Sequence, residues 1–211
     1  MATGIFGGTF DPIHMGHLRI AEEIREVFSL ERIYFVPGGI PPHKKRRKIT
    51  DAEERLHMLK AAVKGNNFFQ VSEIETKRSG PSYTIDTLKA FEKRFDELYF
   101  LIGIDAFSQI DTWHLYRELF YHTNFIVMTR PSSKKQAILE MLPGDVKKDI
   151  RKGNDALCVH KSGRKIYLHD ITQIDISSTK IKELLKKHRS IRYLVPVSVE
   201  KIIIEKGLYN K

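Results

Sequence analysis

The apolar positions of this 211-residue chain follow two patterns that alternate along the sequence. Short continuous apolar runs predict buried strands over 2–6, 32–36, 68–74, 98–102, 125–128 and 166–169. Apolar residues that recur every three or four positions predict amphipathic helices over 16–29, 50–64, 83–95, 177–188 and 197–206. Strands of continuous apolar character that alternate with such helices are typical of a parallel sheet covered on both faces.

Helix-start and helix-stop signals refine this picture. Thr50-Asp-Ala-Glu53 has the form of a capping box, and the last helix is entered through Pro196 and ended by Gly207. The less regular segment 131–163 predicts loops and short helices without a separate domain. We therefore predict one α/β domain over 1–211: a Rossmann-like, doubly wound parallel sheet with helices on both faces and a small C-terminal helical part over about 177–211.

Charge indicates what the protein binds. The formal net charge is +10, which attracts nucleic acid, acidic membranes or phosphorylated small molecules. The densest basic cluster, 44–48, reads either as a solvated loop or as a phosphate-binding lip. No aromatic-interleaved basic strand or zinc-finger spacing favours nucleic acid. The single cysteine, Cys158, excludes an internal disulfide and a cysteine-based metal site. No membrane-length apolar run or signal-peptide pattern is found, so a cytoplasmic location is expected.

The most distinctive stretch is GIFGGTFDPIHMGHL, residues 4–18, which joins the first strand to the first helix. Gly7 and Gly8 lack a Cβ, so backbone N–H groups there can approach a phosphate closely. The helix that follows points its free N–H groups at the same place, and His14 and His17 stand at its start. A zinc pair or ordinary helix-start residues remain alternatives, but no third zinc ligand is apparent nearby.

His14-Met-Gly-His17 resembles the His-x-Gly-His signature of the nucleotidyltransferase superfamily, and residues 7–14 resemble its small adenylyltransferases. Phosphopantetheine adenylyltransferases and nicotinate mononucleotide adenylyltransferases open almost alike. The remaining motifs are similar to the nicotinate enzymes in order and spacing: Pro41-Pro-His-Lys44, Pro81-Ser-Tyr-Thr-Ile-Asp-Thr87, Gly103-Ile-Asp105, Trp113, Arg130-Pro131, Ile176-Ser-Ser-Thr179 and Val195-Pro196 with Gly207-Leu-Tyr209. Lys182 stands where that family usually has arginine, which keeps the charge but loses the planar fork.

The resemblance implies transfer of the AMP moiety of ATP to nicotinate mononucleotide, which gives nicotinate adenine dinucleotide and pyrophosphate. It implies small-molecule substrates, without nucleic acid or membrane partners, and Mg²⁺ carried on the ATP phosphates rather than in a protein metal site. The oligomeric state stays open. Three alternatives also stay open: a phosphopantetheine-like acceptor, dual specificity for the nicotinamide mononucleotide, and a non-enzymatic nucleotide-binding protein on the same fold.

The resemblance also implies a role for individual residues. His14 and His17 would be catalytic, as hydrogen-bond donors to the ATP phosphates. ATP would be bound by Gly7, Gly8, Thr9, Phe10, Gly103, Asp105, Ser177, Ser178, Thr179 and Lys182. Nicotinate mononucleotide would be bound by Lys44, Tyr83, Thr84, Trp113 and Arg130. Helix capping by the serine pair and core packing by the tryptophan are the structural alternatives.

Overall fold

The computed structural model describes residues 1–39, 49–129 and 137–210. Its strands are Ala2–Gly8 (β1), Arg32–Pro37 (β2), Phe69–Val71 (β3), Glu97–Gly103 (β4), Asn124–Thr129 (β5), Ile150–Gly153 (β6), Leu157–His160 (β7) and Lys165–Asp170 (β8). Its α-helices are Met15–Val27 (α1), Ala52–Val63 (α2), Thr84–Glu92 (α3), Ile104–Phe107 (α4), Tyr116–His122 (α5), Ile138–Met141 (α6), Gly144–Lys147 (α7), Ser178–Lys186 (α8) and Val197–Glu205 (α9). A short 3-10 turn covers Ile110–Thr112.

The strands form a sheet in the order β3-β2-β1-β4-β5-β8-β7-β6. From β1 the chain runs outward through β2 to β3, and it then returns to place β4 on the other side of β1. This reversal opens a crevice at the carboxyl ends of β1 and β4, which is where open α/β sheets bind ligands. The first six strands in this order are parallel, as predicted from their continuous apolar runs.

Helices cover both faces of the sheet, as predicted. Neighbouring residues of β1 point to opposite faces, so Phe6 belongs to one buried cluster and Ile5 to the other. The Phe6 face is covered by α1, α2, α8 and α9, and the Ile5 face by α3, α5 and the short helices. The C-terminal helices therefore pack beside α1, whose N-terminus borders the crevice. Among the described residues, no helix is long and apolar enough to cross a membrane.

The segment 131–163 is the main departure from the sequence-based prediction. Two short helices lie in it as expected, but it also contains β6 and β7, which extend the sheet in antiparallel fashion. The prediction missed β6 because its residues are charged and mostly exposed, as is typical of a protected sheet edge. It missed β7 because its inward residues, Cys158 and His160, are not the usual apolar strand formers.

Two element boundaries also differ from the prediction. The expected strand over 68–74 is shorter, since only Phe69–Val71 pairs with β2. Helix α2 begins where the capping box stands, but its cap is Asp51 rather than Thr50: the Asp51 carboxylate accepts the Ala52 N–H at 2.8 Å. A carboxylate cap at this end is favourable for the helix dipole as well.

Candidate functional site

Two cavities meet at the carboxyl end of β4, where both are bordered by Gly103. The first cavity, of about 410 Å³, is walled by the ends of β1 and β2 and by the start of α3. The second cavity, of about 530 Å³, is walled by the start of α1, the start of α8 and the loop that follows β8. A Cβ on Gly103 would have no atom within 4 Å, so the space beside this shared residue is open.

The two histidines of the His-x-Gly-His motif line the second cavity, at the N-terminus of α1. Their rings stack with centroids 3.7 Å apart. The Nδ1 atom of each ring is buried and has no hydrogen-bond partner in the described part of the chain. A Cβ on the intervening Gly16 would lie 3.1 Å from His14 Nδ1. Glycine at this position therefore lets the His14 ring lie flat over the helix start.

Both histidines are neutral near pH 7. Burial lowers the pKa of His14 to about 4. Burial holds the pKa of His17 well below its usual range, and the nearby His14 lowers it further. A neutral imidazole still carries one N–H donor, and nothing among the described residues dictates which ring nitrogen holds it. Each ring can therefore present a donor to an anionic ligand without bringing a positive charge of its own.

The glycine-rich loop after β1 is shaped by packing as well as by ligand access. Phe10 has a positive φ of 46° and folds its ring back beneath the loop, where it contacts His17 with centroids 5.1 Å apart. A Cβ on Gly8 would lie 2.9 Å from that ring. Gly7, Gly8 and Thr9 line the first cavity, whereas the Phe10 side chain lines neither cavity. Any contribution of Phe10 to ligand binding is thus through its backbone.

Asp11 is a buried carboxylate that joins the loop to the C-terminal part, and the sequence-based prediction did not include it. It accepts hydrogen bonds from Lys182 Nζ and from the Tyr209 hydroxyl, the latter at 2.7 Å, and from the Thr50 N–H at 3.4 Å. Burial raises the pKa of Asp11, but these hydrogen bonds more than offset it and leave the pKa lowered. The predicted ATP ligand Lys182 is thus committed to Asp11 and lines neither cavity.

The N-terminus of α8 borders the second cavity through Ser177 and Ser178. Both hydroxyls have structural partners: Ser177 caps the helix by accepting the Lys180 N–H at 3.2 Å, and Ser178 donates to the Pro12 carbonyl at 2.9 Å. Asp105 lines the same cavity, whereas Thr179 is exposed and does not line it.

The structure brings Trp113 and Thr84 together in the wall of the first cavity. Trp113 follows the 3-10 turn and is half-buried, with its ring edge-on to Phe100 at 6.2 Å. Thr84 begins α3, whose preceding residue Tyr83 makes no side-chain cap hydrogen bond with the described residues. The Tyr83 ring lies against His114, with centroids 4.2 Å apart, and does not line the first cavity.

Two predicted ligand residues, Lys44 and Arg130, lie outside the described residues. Conversely, the structure brings in residues that the sequence reasoning missed: Arg55 behind the loops, and Glu75, Ser82 and Thr87 in the wall of the first cavity. Pro81-Ser-Tyr-Thr was a visible motif, so its serine was within reach of prediction. Within the described ranges, no three His, Cys, Asp or Glu side chains are grouped to hold a metal ion.

Comparisons with known proteins agree with this geometry. The model of the cytidylyltransferase-like family matches residues 5–184. A relative from Desulfatibacillum aliphaticivorans is 41% identical over 99% of this chain and 100% of its own length, and one from Geobacter sulfurreducens is 40% identical over 99% and 98%. Both are named "Probable nicotinate-nucleotide adenylyltransferase".

The fold is also that of a solved structure. The nicotinic acid mononucleotide adenylyltransferase of Plasmodium falciparum, complexed with NaAD, superposes with a TM-score of 0.72 over 99% of this chain and 97% of its own, at 21% identity. A structure from Vibrio parahaemolyticus, described as a putative nicotinate-nucleotide adenylyltransferase, gives a TM-score of 0.66 at 16% identity over 100% and 96% of the two chains.

Proposed function

The chain belongs to the cytidylyltransferase-like family, and we propose that it transfers the adenylyl group of ATP to nicotinate mononucleotide, with release of pyrophosphate, in NAD biosynthesis. The observation that carries this proposal is the pair of cavities that meet at Gly103. One cavity has an aromatic wall suited to a flat ring, and the other has a helix N-terminus and two histidines suited to phosphates. Their volumes are those of ordinary small-molecule sites.

The reaction needs one substrate in each cavity. An oxygen of the mononucleotide phosphate attacks the α-phosphorus of ATP, and the bond from that phosphorus to the pyrophosphate oxygen breaks. Transfers of this kind depend on alignment and on stabilisation of developing charge, with little covalent help from the protein. In this proposal ATP occupies the second cavity and the mononucleotide the first, so that the phosphates meet beside Gly8 and Gly103.

The histidine pair and two helix N-termini supply the charge stabilisation. His14 and His17 donate neutral N–H groups to the ATP phosphates from the start of α1. Helix α8 adds its N-terminal N–H groups, while its serine hydroxyls hold the helix start in place. Asp105 serves the adenosine part of ATP, since it lines the second cavity two residues beyond Gly103.

The first cavity is assigned to the pyridine mononucleotide. Trp113 offers a face on which the pyridine ring can stack. The start of α3 at Thr84 offers main-chain N–H groups and the positive end of the helix dipole to a ring carboxylate. These two features support nicotinate mononucleotide over its amide as the acceptor, because a carboxylate accepts hydrogen bonds whereas a carboxamide must also place two donors.

The family uses a divalent metal with ATP, and we propose that Mg²⁺ enters here as part of the substrate. Mg²⁺ keeps several waters and is commonly held by substrate phosphates. We also propose that residues 1–211 act as one nucleotidyltransferase domain, which is supported by the packing of α8 and α9 on the cluster that contains α1. The cytoplasmic location stays a prediction, and the roles of Lys44 and Arg130 stay predictions as well.

Pyrophosphate release tests the proposal directly. The purified protein is supplied with Mg-ATP and one of three acceptors: nicotinate mononucleotide, nicotinamide mononucleotide or phosphopantetheine. We expect release with the first acceptor and none with ATP alone. Release only with phosphopantetheine would reassign the acceptor, and binding of ATP without release under any condition would indicate a non-enzymatic nucleotide-binding protein.

A further inference from the structure

The peptide unit between Gly38 and Gly39, at the end of β2, is held from both sides. The Gly38 carbonyl accepts Arg55 Nη2 at 2.7 Å. On the opposite side of the same unit lies Glu75, whose Oε2 would be 3.9 Å from a Cβ on Gly38 and whose carbonyl oxygen would be 2.5 Å from a Cβ on Gly39. Burial raises the pKa of the Glu75 carboxyl, and the Gly39 N–H is one of the groups that oppose this effect. A peptide unit is planar, so an anchor on its carbonyl and another on its N–H determine its orientation. Both glycines border the first cavity.

Arg55 is almost fully buried, with an exposed fraction of 2%. Its guanidinium donates to three further carbonyls besides Gly38: Thr9 at 2.8 Å, Thr50 at 3.0 Å and, more weakly, Gly39 at 3.5 Å. Burial lowers the pKa of Arg55, an effect that the nearby Asp11 opposes. Burying a cation costs desolvation energy, and within the described residues the hydrogen bonds of Arg55 all go to loop carbonyls. We therefore infer that the role of Arg55 is to fix these loops rather than to stabilise the core.

Glu75 performs the matching task from the other side. Its carboxylate accepts the Thr87 hydroxyl at 2.8 Å, and its own carbonyl accepts the Ser82 hydroxyl at 3.2 Å. Glu75, Ser82 and Thr87 all line the first cavity. A Cβ on Gly39 would lie 2.5 Å from the Glu75 carbonyl oxygen, so the β2 loop and the segment before α3 approach each other as closely as glycine permits.

We propose that Arg55 and Glu75 are positioning residues that clamp the Gly38–Gly39 peptide between them and thereby fix the wall of the acceptor cavity. Neither residue needs to touch the reacting atoms. The inference rests on the proposed function, since it assigns the first cavity to the acceptor. The two clamping residues differ in which parts of the site they contact. Among the described residues, the Glu75 carboxylate accepts the hydroxyl of Thr87 in the wall of the first cavity, whereas Arg55 also holds the Thr9 carbonyl in the loop that lies between the two substrates.

Because the two residues contact different parts of the site, their substitution should affect the two substrates differently. A purely structural role would not produce this difference. Glu75→Gln replaces one of the two carboxylate oxygens by an NH₂ donor and removes the negative charge, so the acceptors that face Gly39 and Thr87 are weakened. We expect it to lower kcat/KM for the mononucleotide by about tenfold or more, mainly through KM, while the KM for ATP stays within about twofold. Arg55→Lys replaces a planar fork by a point charge, and we expect it to impair the use of both substrates.

Binding of the mononucleotide can be read without turnover. Trp113 is the single tryptophan of the chain and lines the first cavity, so its fluorescence reports nicotinate mononucleotide binding in the absence of ATP. The matched control is Glu73→Gln, because Glu73 pairs with Lys60 and Lys77 and does not line the cavity. The control should leave the affinity and both KM values unchanged.

The outcomes separate this inference from the proposed function. If the unmodified protein releases no pyrophosphate with nicotinate mononucleotide, the proposed function fails. If it does, and Glu75→Gln matches the Glu73→Gln control in affinity and kinetics, the clamp is refuted. An equal rise in both KM values for Glu75→Gln would also refute it. If Glu75→Gln does not fold, Thr87→Val removes one of the hydrogen bonds to the same carboxylate, and a normal mononucleotide KM in that variant would overturn the proposal.

Discussion

Acidification should destabilise the fold through the stacked histidines, and His14→Gln isolates that effect. Burial lowers the pKa of His14 to about 4, whereas an unfolded histidine titrates near 6.5. Between these values the unfolded chain takes up a proton that the folded chain does not bind. Linkage gives the direction: stability is complete above about pH 6.5 and is lost as the pH falls towards about 4.

The magnitude follows from the size of the shift. One pH unit below the unfolded pKa, a site that stays neutral in the folded state costs about 1.4 kcal/mol of stability. The pKa of His17 is also lowered by burial, so His17 adds to the loss of stability in the same direction. Even the His14 contribution alone is a sizeable part of the roughly 5–15 kcal/mol that stabilises a typical domain. Burial also lowers the pKa of His160 and raises that of Glu75, so the contribution of His14 must be measured by difference.

The assay is urea unfolding of the wild type and of His14→Gln at about pH 7.5 and about pH 5.5, followed by circular dichroism. The loss of stability between the two pH values should be smaller by about 1.4 kcal/mol in His14→Gln than in the wild type. The same exchange at His57, an exposed residue of α2, controls for the general loss of a histidine. An unchanged pH dependence in His14→Gln would refute the reasoning, because it would mean that the folded protein protonates His14 freely.

Four further predictions concern catalysis. His17→Asn should lower kcat by about a hundred- to a thousandfold with an unchanged circular dichroism spectrum, and near-normal turnover would exclude a catalytic role. Gly16→Ala should lower kcat by about tenfold or more, because its Cβ would press on His14; normal kcat would show that the ring position is not critical. Lys182→Arg should keep or lower the ATP KM, and a tenfold rise would show that the contact with Asp11 requires lysine. The specificity constant for nicotinate mononucleotide should exceed that for its amide by on the order of a hundredfold, and comparable values would indicate dual specificity.

The sequence predicted the fold best for strands that are buried on both faces, because such strands are continuous runs of apolar residues. The continuous apolar runs of β4 and β5 are buried along almost their whole length, and both strands were placed within one residue of their observed ends. Strands β6 and β7 could not be predicted in this way. Strand β6 lies at the edge of the sheet, where a strand tolerates charge, so its charged sequence resembles that of a loop. Strand β7 lies between β8 and β6 and buries Cys158 and His160, which are not typical strand formers.

The candidate site was predictable where its residues are contiguous in the chain. The loop over 7–17 and the motif over 176–179 each lead into a helix N-terminus. The position of their residues relative to that helix could therefore be predicted from the local sequence. Arg55 and Glu75 could not be found from sequence, since their partners are largely main-chain atoms of distant loops. The orientation of a carbonyl or an N–H group depends on the folded backbone. It cannot be predicted from the residue types Thr9 and Gly38.

The buried carboxylate of Asp11 gives the C-terminal part a role in the site itself. An unpaired carboxylate would repel any phosphate that approached this loop. Lys182 neutralises the Asp11 carboxylate through one oxygen, and the Tyr209 hydroxyl donates a hydrogen bond to the other oxygen at 2.7 Å. The same part of the chain supplies the Ser178 hydroxyl to Pro12 and the Leu194 carbonyl to the Met15 N–H. The N-terminus of α1 is therefore completed only when residues 178–209 have docked. We propose that Lys182 supports ATP binding by cancelling the charge of Asp11 and by holding the loop, rather than through a direct contact with the phosphates.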